Sequence, residues 1–110
     1  MKNFLINFCI FFIFFLKVSL SSDFAYITNQ LSNSVSVIDL ETYKVIKEIP
    51  VGSKPAGVAV TKNGKRIFVS NPESKEISVI DGAKLENIKN ISLGKGPLGI
   101  ALSKDDKYLL

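Results

Sequence analysis

Beyond residue 23 the apolar residues fall into short runs separated by clusters of turn residues. Ile77, Val79 and Asp81 alternate with Ser78 and Ile80, and Ile46 and Ile49 flank Lys47-Glu48. A period near two with β-branched enrichment predicts strand. In the second half of the chain the predicted strands are 57–61, 66–70, 76–81 and 87–93. No window in this part carries a helical stripe of useful length.

The turns support the same reading. Asn63-Gly64 lies between two apolar runs and predicts a type I′ hairpin, in which both central residues need φ > 0. The related stretch Lys104-Asp105-Asp106-Lys107 lacks the glycine, which predicts a different or longer turn. Asn71-Pro72 marks a break, and Asp39-Leu40-Glu41-Thr42 closes another strand pair. Four strands joined by tight turns make an antiparallel meander.

That meander repeats. Shifted by 42 positions, the sequence matches itself without a gap. Tyr26-Ile27-Thr28-Asn29 falls on Phe68-Val69-Ser70-Asn71, and Val35-Ser36-Val37-Ile38-Asp39 falls on Ile77-Ser78-Val79-Ile80-Asp81. Val51-Gly52 falls on Leu93-Gly94, and Pro55-Ala56-Gly57-Val58-Ala59-Val60 on Pro97-Leu98-Gly99-Ile100-Ala101-Leu102. A four-stranded sheet with apolar residues on both faces cannot bury them alone. Radial stacking of successive sheets covers both faces and leaves only short edges. The expected fold is therefore all-β: a β-propeller of four-stranded antiparallel blades, here an incomplete ring of about two. Gly57, Ala59, Gly99 and Ala101 suit a crowded innermost strand.

The start of the chain follows other rules. From residue 4 to residue 16 nearly every position is Phe, Ile or Leu, and six of the eight phenylalanines lie here. Lys2 before this run and Ser19-Leu20-Ser21 after it complete the pattern of a secretory signal, with cleavage expected after Ser21. The run reaches about 20 Å as a helix, short of the roughly 30 Å that a membrane span needs. Losing residues 1–21 removes Cys9, the only cysteine, and with it any disulfide or thiolate site. It also removes Lys2 and Lys17, leaving 12 basic against 10 acidic residues, well dispersed. Such a balance indicates no nucleic-acid surface, and after cleavage no stable membrane insertion is expected.

These motifs resemble the YVTN family of β-propeller repeats, named for a strand motif represented by Tyr26-Ile27-Thr28-Asn29 and more loosely by Phe68-Val69-Ser70-Asn71. The Val-Ser-Val-Ile-Asp strand, the Val-Gly strand end, Pro-x-Gly-Val-Ala-Val and the Lys-Asn-Gly-Lys turn match as well. The resemblance implies an exported, periplasmic or extracellular protein of about seven blades. It points equally to surface-layer proteins, to relatives encoded near quinoprotein dehydrogenases and to propeller partners of electron-transfer enzymes.

With Gly-Val-Ala-Val as the innermost strand, residues 24–52 form a first blade without its inner strand. Residues 53–94 form a second blade, and 95–110 open a third. Because the last run stops within a strand, the phase predicts a piece of a chain of roughly 300 residues.

Candidate chemistry is sparse. There is no histidine, so a Ser-His-Asp or Cys-His arrangement and His-ligated metal or haem are excluded from this segment. Asp39 and Asp81 recur at the end of equivalent strands. They read as acceptors for the backbone of the following turn, with one cation or substrate carboxylate per blade as the sharper alternative. Asn29 and Asn71 read as local backbone partners, with the lining of a central channel as the alternative. Pro55-Ala56-Gly57 and Pro97-Leu98-Gly99 shape the link between blades. Gly94-Lys95-Gly96 lacks the following helix of a phosphate loop, and Asp105-Asp106 reads as a solvated turn pair. No catalytic, cofactor-binding or metal residue is assigned, and no cofactor is expected in this segment.

Three functions fit. The first is a non-catalytic binding or scaffold module for a protein or small-molecule partner that the sequence does not identify. The second is an accessory propeller of a periplasmic electron-transfer oxidoreductase system. The third is a lactonase-like propeller hydrolase with its metal ligands in other blades.

Overall fold

The computed structural model describes residues 23–110, and the expected leader at 1–21 lies outside the described residues. Seven strands follow one another: β1 (Phe24–Asn29), β2 (Ser34–Asp39), β3 (Lys44–Pro50), β4 (Val58–Val60), β5 (Arg66–Asn71), β6 (Glu76–Asp81) and β7 (Glu86–Ser92). The first three form one antiparallel sheet in chain order, and the last four form another. The described part is an all-β partial propeller of about two blades.

The sequence repeat is a repeat of backbone geometry. Tyr26 pairs with Val37 as Phe68 pairs with Val79. A register shift at Val37/Ile38 recurs at Val79/Ile80, a bulge that sharpens the twist of each outer strand pair. Positive φ angles recur in pairs 42 residues apart: Asn33 (53°) with Lys75 (56°), and Tyr43 (58°) with Leu85 (56°). A bulky side chain in this region costs about 1–2 kcal/mol. The turn bonds hold it there, since Tyr43 N–H donates to Asp39 O at 2.7 Å and Leu85 N–H to Asp81 O at 2.8 Å.

The core lies between the two sheets. Alternation along β2 turns Val35 and Val37 toward the second sheet, where they meet Ile67 and Val69 of β5 and Ile80 of β6; Ile49 of β3 completes the cluster. All six are at most 1% exposed. Each contributes roughly 1.5–3 kcal/mol by leaving water. Phe24, Tyr26, Val51, Val58 and Leu85 pack around them. The opposite face of the second sheet carries Phe68, Ile77 and Val79. Ile77 and Val79 are also buried, and Leu98 and Ile100 lie against the inner end of this sheet beside Ser70 and Gly57. Residues 101–110 begin a further hairpin, in which Leu102 bridges Leu109 and Ala101 and Leu110 exchange two backbone bonds of 2.9 and 2.7 Å.

The hairpin at Asn63-Gly64 differs from the expected type I′ turn. Only Gly64 has positive φ, 71°. Its N–H donates to Thr61 O at 2.9 Å. Asn63 works through its side chain, with Oδ1 accepting Lys65 N–H at 2.9 Å and the Thr61 hydroxyl at 2.8 Å. The stretch at 104–107 builds the same turn rather than a longer one. Asp106 takes φ 60° where the first copy has glycine, and its N–H donates to Ser103 O at 2.9 Å. Asp105 Oδ1 takes the place of Asn63 Oδ1, accepting Lys107 N–H at 3.1 Å and the Ser103 hydroxyl at 2.8 Å. A short carboxylate substitutes for a carboxamide, and an aspartate tolerates the left-handed region that glycine supplies elsewhere.

Candidate functional site at the blade interface

Asp39 and Asp81 are turn residues. Asp39 Oδ1 accepts Glu41 N–H at 2.9 Å, and Asp81 Oδ1 accepts the N–H groups of Ala83 and Lys84 at 2.8 and 3.0 Å. The Lys84 and Ala83 amides hold the Asp81 carboxyl below the usual carboxylate range. The Arg66 guanidinium adds a contact at 3.6 Å. The hydroxyl of Ser103 and the amide of Lys107 depress Asp105 in the same way. Asp106 Oδ2 reaches the preceding blade, accepting Lys62 N–H at 2.8 Å.

The asparagines behave differently from the expectation of local backbone bonding. Asn71 is fully buried on the face that the second sheet turns to the first. Its Nδ2 donates to Ser78 Oγ across the strand pair at 2.9 Å, and the Ser78 hydroxyl donates to Asn90 Oδ1 at 2.8 Å. A longer contact of 3.4 Å runs to Val69 O. Asn71 Oδ1 has no partner, which costs about 1–3 kcal/mol for a buried acceptor. Asn71 thus ties β5 to β6 within the second sheet, on the face that the first sheet covers. In the first sheet Asn29 Nδ2 donates to Ser36 Oγ at 2.8 Å and Ser34 Oγ at 3.2 Å. Both serines then donate to the Glu48 carboxylate, at 2.7 and 3.2 Å. This copy is open on the side away from the second sheet.

A second repeated bond links the blades directly. The Thr28 hydroxyl donates to Ala56 O at 3.2 Å, and the Ser70 hydroxyl to Leu98 O at 2.7 Å. Ser70 Oγ also accepts Gly57 N–H at 2.8 Å. Pro55-Ala56-Gly57 and Pro97-Leu98-Gly99 therefore join blades, as their position in the repeat suggests. Gly57 is needed there because a Cβ would stand 2.8 Å from the Ile100 side chain. In Gly94-Lys95-Gly96, Gly94 adopts φ 71° and Gly96 approaches Pro72 O. These glycines shape the crossing between blades.

Between β1 and the 62–65 hairpin lies a cleft of about 490 Å³. Phe24, Tyr26 and Val60 supply its apolar wall, and Lys62, Lys65 and Asp23 line its polar part. Burial pushes the Tyr26 phenol pKa up. Sequence reasoning missed this cleft, since its walls come from residues about 40 positions apart whose alternation says only that they face the next blade. Among the described residues no three Asp, Glu, Cys or His side chains stand together. The carboxylates of Asp39, Asp81 and Asp105 accept hydrogen bonds from their turns, and that of Glu48 accepts from Ser34 and Ser36.

Stacked antiparallel meanders joined by these crossings define a β-propeller. A family model for YNCE-like beta-propellers matches residues 18–106, and the chain belongs to that family. Among solved structures, hydrazine synthase of Kuenenia stuttgartiensis is 39% identical with a TM-score of 0.74, over 76% of this chain and 24% of that one. Apo AztD of Citrobacter koseri is 22% identical, with a TM-score of 0.62 over 71% of this chain and 22% of that one. Dihydro-heme d1 dehydrogenase NirN in complex with DHE is 20% identical, with a TM-score of 0.67 over 82% and 22%. The latter two share the fold. The chain spans about a quarter of the length of these solved chains. No curated protein matches.

Proposed function

We propose that this chain belongs to an exported, non-catalytic propeller of YVTN-type repeats that serves as a binding or scaffold module. One observation carries the reading. The polar side chains that recur between repeats are spent on the fold: Asp39 and Asp81 on their turns, and Asn71, Ser78, Thr28 and Ser70 on the blade and its interfaces. What remains for a partner is rim surface and the cleft beside β1. The test is affinity purification of the tagged full chain from its own host. A stoichiometric protein or small-molecule partner that stays bound, with amino-terminal sequencing starting at Ser22, supports the reading. Retention in the cytoplasm with an intact leader contradicts the export element, and turnover of a substrate by the purified chain contradicts the non-catalytic element.

A second reading, an accessory propeller within an oxidoreductase system, is favoured by the 39% identity to hydrazine synthase. It predicts that the co-purified partner carries a redox cofactor, visible as an absorption band absent from the chain alone.

A further inference from the structure

Asn63-Gly64 is the only Asn-Gly pair in the sequence, and this dipeptide carries a reaction of its own. The Gly64 nitrogen attacks Asn63 Cγ, the bond from Cγ to Nδ2 breaks, and ammonia leaves with the proton of the attacking amide. A cyclic imide remains. Water then opens it, at the side-chain carbonyl to give aspartate or at the main-chain carbonyl to give isoaspartate. In a mobile chain the step is easy, because glycine has no Cβ to hinder the nitrogen and its backbone turns freely.

The folded hairpin withholds each part of that reaction. Gly64 N–H donates to Thr61 O at 2.9 Å, which keeps the proton on the attacking nitrogen. Asn63 Oδ1 accepts Lys65 N–H at 2.9 Å and the Thr61 hydroxyl at 2.8 Å, so the carboxamide is pinned on the electrophilic side as well. The Thr61 hydroxyl is itself fixed, accepting Arg66 N–H at 3.1 Å. Two further bonds tether the hairpin from outside. Gly82 N–H donates to Lys65 O at 2.9 Å, and Lys62 N–H to Asp106 Oδ2 at 2.8 Å.

The next copy of the turn shows how an aspartate sits at this place. Asp105, the counterpart of Asn63, accepts Lys107 N–H and the Ser103 hydroxyl through Oδ1, and Ser103 Oγ accepts Tyr108 N–H at 3.0 Å. Aspartate at position 63 keeps every one of these acceptor bonds. Isoaspartate adds a carbon to the main chain and shifts the Lys65 amide away from its acceptor.

We propose that Asn63 is a guarded deamidation site. The closed hairpin holds it as asparagine, conversion proceeds only when the hairpin opens, and the aspartate product preserves the turn while adding one negative charge between Lys62 and Lys65. The full chain, kept in mildly alkaline buffer with and without urea, is followed by peptide mapping and mass spectrometry. Native protein is expected to convert Asn63 at least about tenfold more slowly than unfolded protein, since reaction then requires local opening. Equal rates in the two conditions overturn the proposal. Thr61→Val removes the hydroxyl from both Asn63 and Arg66, and is expected to speed native conversion about fivefold with an unchanged far-UV spectrum. An unchanged rate in that variant contradicts the guarding role of the Thr61 bonds. A separate variant tests the product without relying on Thr61: Asn63→Asp is expected to melt with the parent chain, and a clearly lower melting temperature refutes the tolerance of aspartate.

Discussion

The two sheets are copies of one pattern with different neighbours. The second sheet has a blade on one side and the start of another on the other, and buries Ile67, Val69, Asn71, Ile77, Ser78, Val79 and Ile80. Among the described residues the first has a neighbour on one side only. Its Ile38 is half-buried and Ile27 exposed, although their counterparts Ile80 and Val69 are fully buried. The same asparagine–serine pair is a sealed rivet at Asn71–Ser78 and an open network reaching a carboxylate at Asn29–Ser36–Glu48. The repeat sets the backbone and the register. The neighbour sets what each side chain is worth.

The largest test compares Ile80→Ala with Ile38→Ala. The first empties a fully buried site and is expected to cost about 2–5 kcal/mol. The second removes a half-exposed side chain at the equivalent position and is expected to cost roughly 1 kcal/mol. Chemical denaturation reads both, and equal losses would break the comparison.

Next comes Gly82→Ala. A Cβ there would collide with Gly64 O, a backbone atom of the 62–65 hairpin. Displacing that hairpin is expected to cost about 3 kcal/mol. The counterpart Leu40 carries a full side chain at 43% exposure, and Leu40→Ala is expected to stay within about 0.5 kcal/mol.

Asn71→Ala removes the buried Nδ2–Ser78 Oγ bond and is expected to cost about 1–2 kcal/mol, against about 0.5 kcal/mol for Asn29→Ala. If Asn29→Ala cost as much, the first blade would have a cover on its open face.

The smallest effect concerns acid. The Lys84 and Ala83 amides depress the folded pKa of Asp81, so its stabilisation is present above the ordinary carboxylate value of about 4. It is lost as pH falls through the lower, folded value. Thermal melts between neutral and strongly acid pH are expected to show a shallower acid loss for Asp81→Asn than for the parent chain.

Much of this architecture was legible in the residues. Predicted strands at 66–70, 76–81 and 87–93 correspond to Arg66–Asn71, Glu76–Asp81 and Glu86–Ser92, because period-two alternation between turn clusters is a local signal. The turn role of Asp39 and Asp81 was legible for the same reason. The burial of Asn71 was not, because an asparagine at a strand end reads identically whether a blade covers it or not. The hairpin at 62–65 was assigned the wrong turn, since Asn-Gly also fits a loop in which the asparagine side chain, and not its φ, fixes the bend. Gly82 and the cleft depend on contacts across blades, about which alternation along one strand is silent.

Native-state hydrogen exchange tests the central claim most directly, because it reads protection amide by amide at equivalent positions of the two copies. The account predicts the slowest exchange in β5 and β6. It also predicts markedly faster exchange in β1 than in β5, with Thr28 N–H among the fastest strand amides. Equal protection of β1 and β5 would contradict it, since the two sheets would then not owe their order to the blades beside them.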